Sequence, residues 1–427
     1  MHHNDEHKKQ IRAWTFYDWA NSSYSLIITS AIFPAYYSAI VPEQIQLFGH
    51  AFHRAALASY SISFSFLLIA FLSPLLSSMA DYLGNKKMFM RFFCYLGSLS
   101  CMALFFFVQK PGGDSNYLYG LLCSVLASVG YCGSIVFYNA FLPEIADATE
   151  QDAVSARGFA MGYIGSVILM LICLIVILCN EQASLGWGDY PVRFSFVAVG
   201  LWWAGFAQIS FQGLKEQVRK HGDDAADWIR GGYRELRMVW SQLQHLPALK
   251  KFLAAFFFYN TGVQTVMYMA TYFASDEMHM QTTQLLSVVM IIQLVAIAGS
   301  WLFARLSGRK GNLFALSILV FCWIGICIFA YRVQSLSGFY LIAFAIGMVM
   351  GGIQSLSRST YSKLLPVTSD TASYFSFYDI AEKTGIVIGT LSFGLIADWL
   401  GGMRNAALGL SLFFIAGLFF LFRLRKH

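Results

Sequence analysis

Twelve apolar runs divide this chain from end to end, each about as long as a helix must be to cross a bilayer. Hydrophobic residues make up 57% of the 427 residues, and charged residues only 12%. That charged share is about half the share of an ordinary soluble domain. The chain therefore has too few charged side chains to cover the surface of a protein folded in water. We therefore predict an all-α polytopic membrane protein with twelve transmembrane helices, at residues 14–40, 55–80, 88–108, 117–142, 157–179, 192–212, 252–275, 283–304, 312–331, 338–365, 372–399 and 405–422.

Lysine and arginine residues are concentrated between alternate spans. By this topology 23 of them lie on the side that carries both termini, five lie on the opposite side, and Lys383 falls inside a span. Because cytoplasmic loops of membrane proteins are rich in these residues, we predict cytoplasmic termini and a multi-pass protein of the plasma (inner) membrane. The same distribution accounts for the net charge of +6, so no nucleic-acid partner is expected.

Signatures of cofactor chemistry are missing from the sequence. The eight cysteines lie in or beside apolar runs without a CxxC pair, and the nine histidines form no HExxH motif. No GxxxxGK[ST] loop is present, and no catalytic Ser/His/Asp or Cys/His set occurs at membrane depth. We therefore expect no metal, no cofactor and no enzymatic activity, and we expect transport energy to come from an ion gradient.

Short motifs repeat at a nearly constant offset. The segment ADYLGNKKM follows the second span and ARLSGRKGN follows the eighth, with Gly84 and Gly308 separated by 224 residues. YNAFLP and YSKLLP end the fourth and tenth spans, with Pro143 and Pro366 separated by 223 residues. Chance similarity is the alternative. The repeat predicts two six-helix bundles, 1–212 and 252–427, joined by a connection at 213–251, an architecture similar to the major facilitator superfamily.

Two connections, the short loop after the second span and the long connection between the halves, are predicted to lie on the cytoplasmic side. The loop after the second span resembles the corresponding loop of that superfamily, where glycine permits a tight turn and charges pair across the face or cap helix ends. Its residues are Asp81, Gly84, Lys86 and Lys87. In the long connection, apolar residues recur every three or four positions and predict an amphipathic helix on the membrane surface or under the bundle, at Ile229, Tyr233, Leu236, Trp240 and Leu243.

Polar side chains share one helical face in several spans, which is typical of helices that line a wet cavity. Ser/Thr bonding between packed helices is the alternative, and Asp18 has a second one, because it could cap the start of its helix. We predict that the substrate is bound by Asp18, Asn21, Ser22, Ser25, Tyr138, Asn260, Gln264, Tyr268, Gln354 and Arg358.

The eleventh span carries Asp379, Glu382 and Lys383 within two helical turns. Counting residues from the ends of the tenth and eleventh spans places Arg358 and Asp379 at the same depth, so we predict that these two residues pair. Glu382 is then the acid without a fixed cation and the first candidate for proton coupling, and Asp18 is the second. The alternative is that all the charges of the tenth and eleventh spans form a fixed structural latch, at Arg358, Asp379, Glu382 and Lys383.

Four motifs extend this interpretation. FYDWANSSY, FYNTGVQTV, GGIQSLSRSTYSKLLP and FSFYDIAEKTG resemble the vacuole effluxer (autophagy-related, UMF) family of the major facilitator superfamily. The resemblance implies twelve helices and solute transport, and fungal members are associated with amino-acid efflux from the vacuole. The chain departs from the family pattern at Thr261, where aspartate is usual, and at Ser376 and Thr390.

The residues and the resemblance together predict a secondary active transporter. We expect it to move a small polar or zwitterionic solute, such as an amino acid or a peptide-like molecule, by alternating access and with protons as the coupling ion. The expected partners are that solute, protons and the bilayer, and a monomer is expected. The alternatives are a lipid or amphiphile exporter and a membrane receptor or assembly partner that does not transport.

Overall fold

Polar interruptions between the apolar runs end one helix and begin the next. The computed structural model describes residues 2–47, 50–109, 115–182, 186–216, 225–400 and 402–425. The first six membrane passes are α1 (His2–Ser23) with a π-helical segment (Tyr24–Ala31) and α2 (Ile32–Ile40), α3 (Arg54–Leu83), α4 (Lys86–Ala103), α5 (Tyr117–Ala140) with the short α6 (Leu142–Ile145), α7 (Gln151–Gln182) and α8 (Tyr190–Gly213).

The second half repeats this order after a linking helix, α9 (Ala225–Gln244). Its passes are α10 (Pro247–Asp276), α11 (Thr282–Lys310), α12 (Asn312–Arg332), α13 (Leu336–Leu364), α14 (Thr371–Leu400) and finally α15 (Met403–Gly409) with α16 (Ser411–Arg425). Ten of the passes are long and apolar enough to span a membrane by length and composition alone. The first and seventh passes are the other two, and they carry the polar faces that the sequence analysis identified.

The first pass is longer and less regular than its apolar run predicts. Its helix begins at His2 rather than near residue 14, so Asp18 lies several turns after the start of α1. Asp18 therefore does not cap the helix, and that alternative is wrong. In the π-helical segment that follows, the Ile32 N–H donates to the Ile27 carbonyl, five residues back. Beyond α2 the chain forms an antiparallel hairpin, β1 (Gln44–Leu47) and β2 (His50–His53), which the sequence analysis did not predict.

The linking helix packs through a different side from the one its apolar spacing predicts. Gly231 and Gly232 lie against Tyr82 and Met79 of α3, and Val239 and Leu243 are buried. Ile229, Tyr233 and Trp240 remain more than half exposed, so these three are not buried under the bundle, and their position on the membrane surface stays a prediction. The apolar stripe is therefore split, because glycine at 231 and 232 allows the helix to approach α3 more closely on that side.

Several helix pairs join the halves, and the two with the most extensive contacts form the crossings described below. α3 packs along α14, and α7 packs along α11. Because there are twelve passes, both chain ends lie on one face, called here the terminal face. The ends of α3 and α13 and the beginnings of α7 and α14 lie on this face. The domain limits 1–212, 213–251 and 252–427 stay a prediction.

Candidate functional site

The polar stripes of several passes meet in one central cavity of about 170 Å³. Seven passes contribute to its wall: the first, with its π-helical segment, then α3, α5, α7, α10, α13 and α14. The residues of the predicted set that line the cavity are Asp18, Ser22, Ser25, Asn260, Gln264, Tyr268, Gln354, Arg358, Glu382 and Lys383. The structure thus brings most of the predicted binding residues together, across both halves.

Asn21, Tyr138 and Asp379 do not line the cavity. Asn21 is buried, and its Oδ1 accepts a 3.4 Å hydrogen bond from the Ser22 hydroxyl. Tyr138 lies behind the wall and donates from its hydroxyl to Asp18 Oδ2 at 2.7 Å. Asp379 is buried beside Lys383. These three residues can act on a solute only through the groups they contact.

A buried ion pair connects the two halves at one side of the cavity. Arg358 of α13 places both terminal nitrogens 3.2 Å from Asp18 Oδ2 of α1. Its other hydrogen bonds go to Ser155 Oγ at 2.9 Å, to the Ser155 carbonyl at 3.0 Å and to Asn139 Oδ1 at 3.4 Å. The guanidinium also lies 4.2 Å from the ring centre of Phe159 and 4.6 Å from that of Trp14. Every part of this cation is therefore held in place, and the pair carries no net charge.

Close helix packing makes room for this pair. A Cβ atom at Gly158 of α7 would lie 2.5 Å from Asp18 Oδ2 and 3.0 Å from Arg358 Nη2. A Cβ at Gly162, one turn further along α7, would lie 2.4 Å from Ser22 Oγ. Small residues at such positions let two transmembrane helices approach closely. For this reason α7 packs directly against the polar face of α1.

The predicted pairing of Arg358 with Asp379 is wrong. Arg358 pairs with Asp18 of the other half, and Asp379 pairs with Lys383 on its own helix, with Lys383 Nζ 3.6 Å from Asp379 Oδ1. Equal depth in the membrane does not fix the direction in which a side chain leaves its helix. Arg358 points across the interface between the halves, and the i,i+4 spacing on α14 gives Asp379 a nearer cation.

The second charge cluster lies on α14 and contains two acids and one lysine. Lys383 Nζ is 3.4 Å from Glu382 Oε2 as well as 3.6 Å from Asp379 Oδ1. Glu382 also accepts a 3.0 Å hydrogen bond from Gln264 Nε2 of α10. Neither carboxylate oxygen of Asp379 has a hydrogen-bond partner among the described residues. Glu382 is therefore not the acid without a cation, and Asp379 is the less well satisfied of the two.

Other groups in and around the cavity escaped the sequence analysis. Ser155 and Asn139 bind the Arg358 side chain, and Tyr24 shares a 2.7 Å hydrogen bond with Ser128. Tyr163 donates to Gln354 Oε1 at 2.7 Å. Ser155 follows Gln151 and Asp152 at helical spacing on α7, a polar pattern that the sequence analysis did not use. Asn139 follows Tyr138 in the repeated YNAFLP motif, which was a signal that could have been used.

The loop after α3 closes the terminal face at the crossing of α3 and α14. Asp81 accepts hydrogen bonds from the first N–H groups of α14, at 3.2 Å from Ala372 and 2.7 Å from Ser373, and from the Ser373 hydroxyl at 2.7 Å. Lys86 pairs with Glu144 and donates to Thr371 Oγ1 at 2.8 Å. Gly84 has a φ of 64°, which permits the tight turn. In the structure Asp81 therefore caps α14, and Lys86 pairs across the terminal face.

Lys87 has a local role instead. Its ammonium donates to the Leu214 carbonyl at 2.7 Å, and its N–H donates to Glu216 Oε1 at 2.5 Å. Burial raises the pKa of Glu216, and the hydrogen bond from the Lys87 N–H and the Lys87 charge work in the opposite direction. Lys87 thus fixes the end of α8 to the beginning of α4, within one half of the molecule.

A second closure lies at the crossing of α7 and α11. Asp152, at the beginning of α7, accepts hydrogen bonds from Ser307 Oγ at 2.8 Å and from Asn312 Nδ2 at 2.7 Å. Lys363, at the end of α13, lies 2.7 Å from the same carboxylate. Both crossings between the halves are therefore closed by buried acids on the terminal face, and the central cavity lies behind them.

Comparisons with known proteins agree with this architecture. The sequence profile of a family described as "Vacuole effluxer Atg22 like" matches residues 6–427. An uncharacterized MFS-type transporter of Bacillus subtilis, YxiO, is 31% identical over 96% of this chain and 93% of its own length. Autophagy-related protein 22-1 of Aspergillus fumigatus is 24% identical over 85% of this chain and 73% of its own length.

Solved structures show the same fold. The major facilitator superfamily transporter FucP, in its outward conformation, superposes with a TM-score of 0.71 at 14% identity, and the match covers 98% of both chains. A proton:xylose symporter, XylE, superposes with a TM-score of 0.70 at 11% identity over 98% of this chain. At these identities the likeness extends to the fold alone, and it confirms the predicted twelve-helix architecture in two six-helix bundles.

Proposed function

This chain belongs to the Atg22-like vacuole effluxer family of major facilitator transporters, and on that premise we propose that it moves a small zwitterionic solute of amino-acid size across its membrane, coupled to protons. We further propose that it resides in the plasma (inner) membrane with both termini in the cytoplasm, as the distribution of basic residues favours. In that orientation the terminal face is the cytoplasmic face.

One observation carries the choice of substrate class: the cavity presents charges of both signs at two places on its wall. Asp18 and Arg358 contribute one place, and Glu382 and Lys383 contribute the other. A zwitterion carries one positive and one negative group, so it can replace the solvation of both groups with charge-assisted hydrogen bonds. A sugar carries neither charge, so it could accept or donate hydrogen bonds here but could not form a salt bridge with either place on the wall.

The size of the cavity supports the same choice. About 170 Å³ is less than the roughly 300–1,000 Å³ typical of sites for drug-sized ligands. A molecule of a few heavy atoms fits such a space, and a lipid with two acyl chains does not. The cavity therefore favours a small polar solute over the amphiphile that was kept as an alternative.

Counterflow in proteoliposomes tests the proposal directly. Vesicles that hold the purified protein are loaded with one unlabelled neutral amino acid, and entry of the same labelled compound is followed. Parallel vesicles receive a hexose or a lysophospholipid. We expect accumulation for at least one amino acid, loss of it in the variant R358Q, and retention in the control R309Q, which removes an exposed arginine of the terminal face.

Two outcomes would contradict the proposal. Counterflow of the hexose or the lysophospholipid alone would replace the substrate class. Failure of every compound, with protein that elutes as a single folded species, would favour a receptor or assembly partner instead.

A further inference from the structure

Asp379 differs from the other buried acids that lie between the two halves. Asp18, Asp81 and Asp152 each accept two or more hydrogen bonds from neighbouring side chains or helix N–H groups. Asp379 is 3% exposed, and in the described part of the chain neither of its oxygens receives a hydrogen bond. An ionised carboxylate in such surroundings is costly, because the Lys383 ammonium at 3.6 Å replaces only part of the solvation that the carboxylate has lost.

The helix opposite Asp379 offers hydroxyls that are equally unused. Ser73 of α3 lies close enough to interact with the Asp379 carboxylate, and Ser77 is one turn nearer the terminal face. Both hydroxyls are buried, and within the described residues neither makes a hydrogen bond. A protonated Asp379 would gain what the ionised form lacks, because the neutral acid has a donor as well as acceptors and can bond to a hydroxyl in either direction.

The charges around Asp379 do not balance. On its own helix it faces Lys383 at 3.6 Å, and Glu382 shares that ammonium at 3.4 Å. The titratable groups that face this cluster from other helices are Tyr131 and Cys132 of α5 and Tyr268 of α10, all neutral in their ordinary forms. Arg358 forms its ion pair with Asp18, and Asp81 accepts hydrogen bonds from the beginning of α14, so neither residue compensates this cluster. Two carboxylates therefore share one cation, with one negative charge in excess.

We infer that Asp379 takes up the transported proton, and that Lys383 then turns from Asp379 toward Glu382 and the cavity. This inference rests on the proton coupling proposed above and names the group that carries it. The proton adds to one oxygen of the Asp379 carboxylate and gives a neutral acid, and no other bond forms or breaks. Lys383 loses its attraction to Asp379, and its ammonium becomes available to the carboxylate of a bound zwitterion. Proton and solute then bind together, so the transporter is a symporter.

Glu382 is the weaker candidate for the same role. It keeps the 3.0 Å hydrogen bond from Gln264, and its side chain is 20% exposed to the cavity, so its ionised form remains partly solvated. In this scheme Glu382 is the group toward which Lys383 turns when Asp379 is protonated, and it holds the lysine at the cavity wall. The two acids therefore have different roles although they share one cation.

The test follows protonation itself and needs no substrate. Purified protein in lipid nanodiscs is titrated with acid, and the infrared carbonyl band of protonated carboxylic acids is recorded against the carboxylate bands. We expect a band of buried acid that appears on acidification in the wild type and in E382Q and is lost in D379N. A band that persists in D379N and disappears in E382Q would overturn the assignment to Asp379.

A second variant keeps the inference testable if D379N does not fold. K383Q removes the cation nearest to Asp379, and an opposite charge at this range typically shifts a titration by about 1–3 pH units. The acid band of K383Q should therefore persist to a pH higher by that amount, and a midpoint equal to that of the wild type would contradict the inference. A midpoint that depends on Na⁺ but not on choline would mean that Asp379 binds a metal cation instead of a proton.

The result can be separated from that of the counterflow experiment. If no solute is exchanged but the infrared band behaves as expected, the proton site stands and the proposed substrate class fails. If solute is exchanged but the band is absent or belongs to another residue, the transporter stands and the role of Asp379 is refuted.

Discussion

At the scale of single residues, the Asp18–Arg358 pair shows what periodicity can and cannot predict. The spacing of Asp18, Ser22 and Ser25 on the first pass correctly predicted a face that lines a cavity, because side chains four and three residues apart share one side of a helix. The partner of Asp18 lies 340 residues away in sequence. The contact depends on how α13 is rotated about its own axis, because that rotation sets the direction of the Arg358 side chain. The spacing of residues within one helix does not give this rotation.

The cost of removing one member of this pair can be measured. D18N or R358Q should each lower the free energy of unfolding by about 3–5 kcal/mol, because either change leaves a buried charge without its counter-ion. The double variant should lose clearly less than the sum of the two single losses. Unfolding by denaturant in detergent, analysed as a double-mutant cycle, gives the coupling energy. Strict additivity would show that the two side chains do not interact in the membrane.

At the scale of helices, the loop after α3 acts on another helix more than on its own. Asp81 lies at the positive end of the α14 dipole and accepts hydrogen bonds from two of the N–H groups that have no partner within that helix. The sequence predicted this capping, since a short loop with an acid, a glycine and two lysines has few other roles at the end of a span. It could not show which helix is capped, because α14 begins almost 300 residues later.

Removal of the Asp81 charge should loosen the terminal face. D81N replaces charge-assisted hydrogen bonds that are each worth about 1.5–3 kcal/mol with weaker neutral ones. We expect the equilibrium to shift toward a state in which α3 and α14 separate at this face. Spin labels on the ends of these two helices would report a longer distance in D81N. D147N, which changes an exposed acid on the same face, is the matched control, and an equal change in both variants would dismiss Asp81 as a closure.

At the scale of the whole molecule, hydropathy predicted the number of passes, because the bilayer requires long apolar helices whatever their contacts. The internal repeat and the four motifs predicted the superfamily fold. Hydropathy did not locate the ends of α1 or the hairpin at Gln44–His53, where polar residues outside the membrane follow local geometry instead. The two closures at Asp81 and Asp152 also lay beyond prediction. Each joins one half to the other, and the packing of the halves determines which groups meet.

Closure of the terminal face can be tested through the cavity behind it. In a background without the native cysteines, S22C and S25C should react with a small hydrophilic thiol reagent, because both positions line the cavity. Reagent supplied from the terminal face should label them slowly in the wild-type background and faster when D81N is added. I27C, at a fully buried position of the same pass, is the control. Labelling of S22C and S25C as poor as that of I27C under all conditions would assign the stripe to helix packing.

The π-helical segment at Tyr24–Ala31 gives the first pass a property that a uniform α-helix lacks. Its carbonyls bond five residues along the chain instead of four, so the segment stores one surplus residue of backbone within the membrane. A return to ordinary α-helical bonding would release that residue and turn the outer part of the pass by about 100°, the angle of one residue in an α-helix. The first pass can therefore rotate part of its length without breaking its helical hydrogen bonding elsewhere. Thr29, on the cavity wall, lies on the part that would turn.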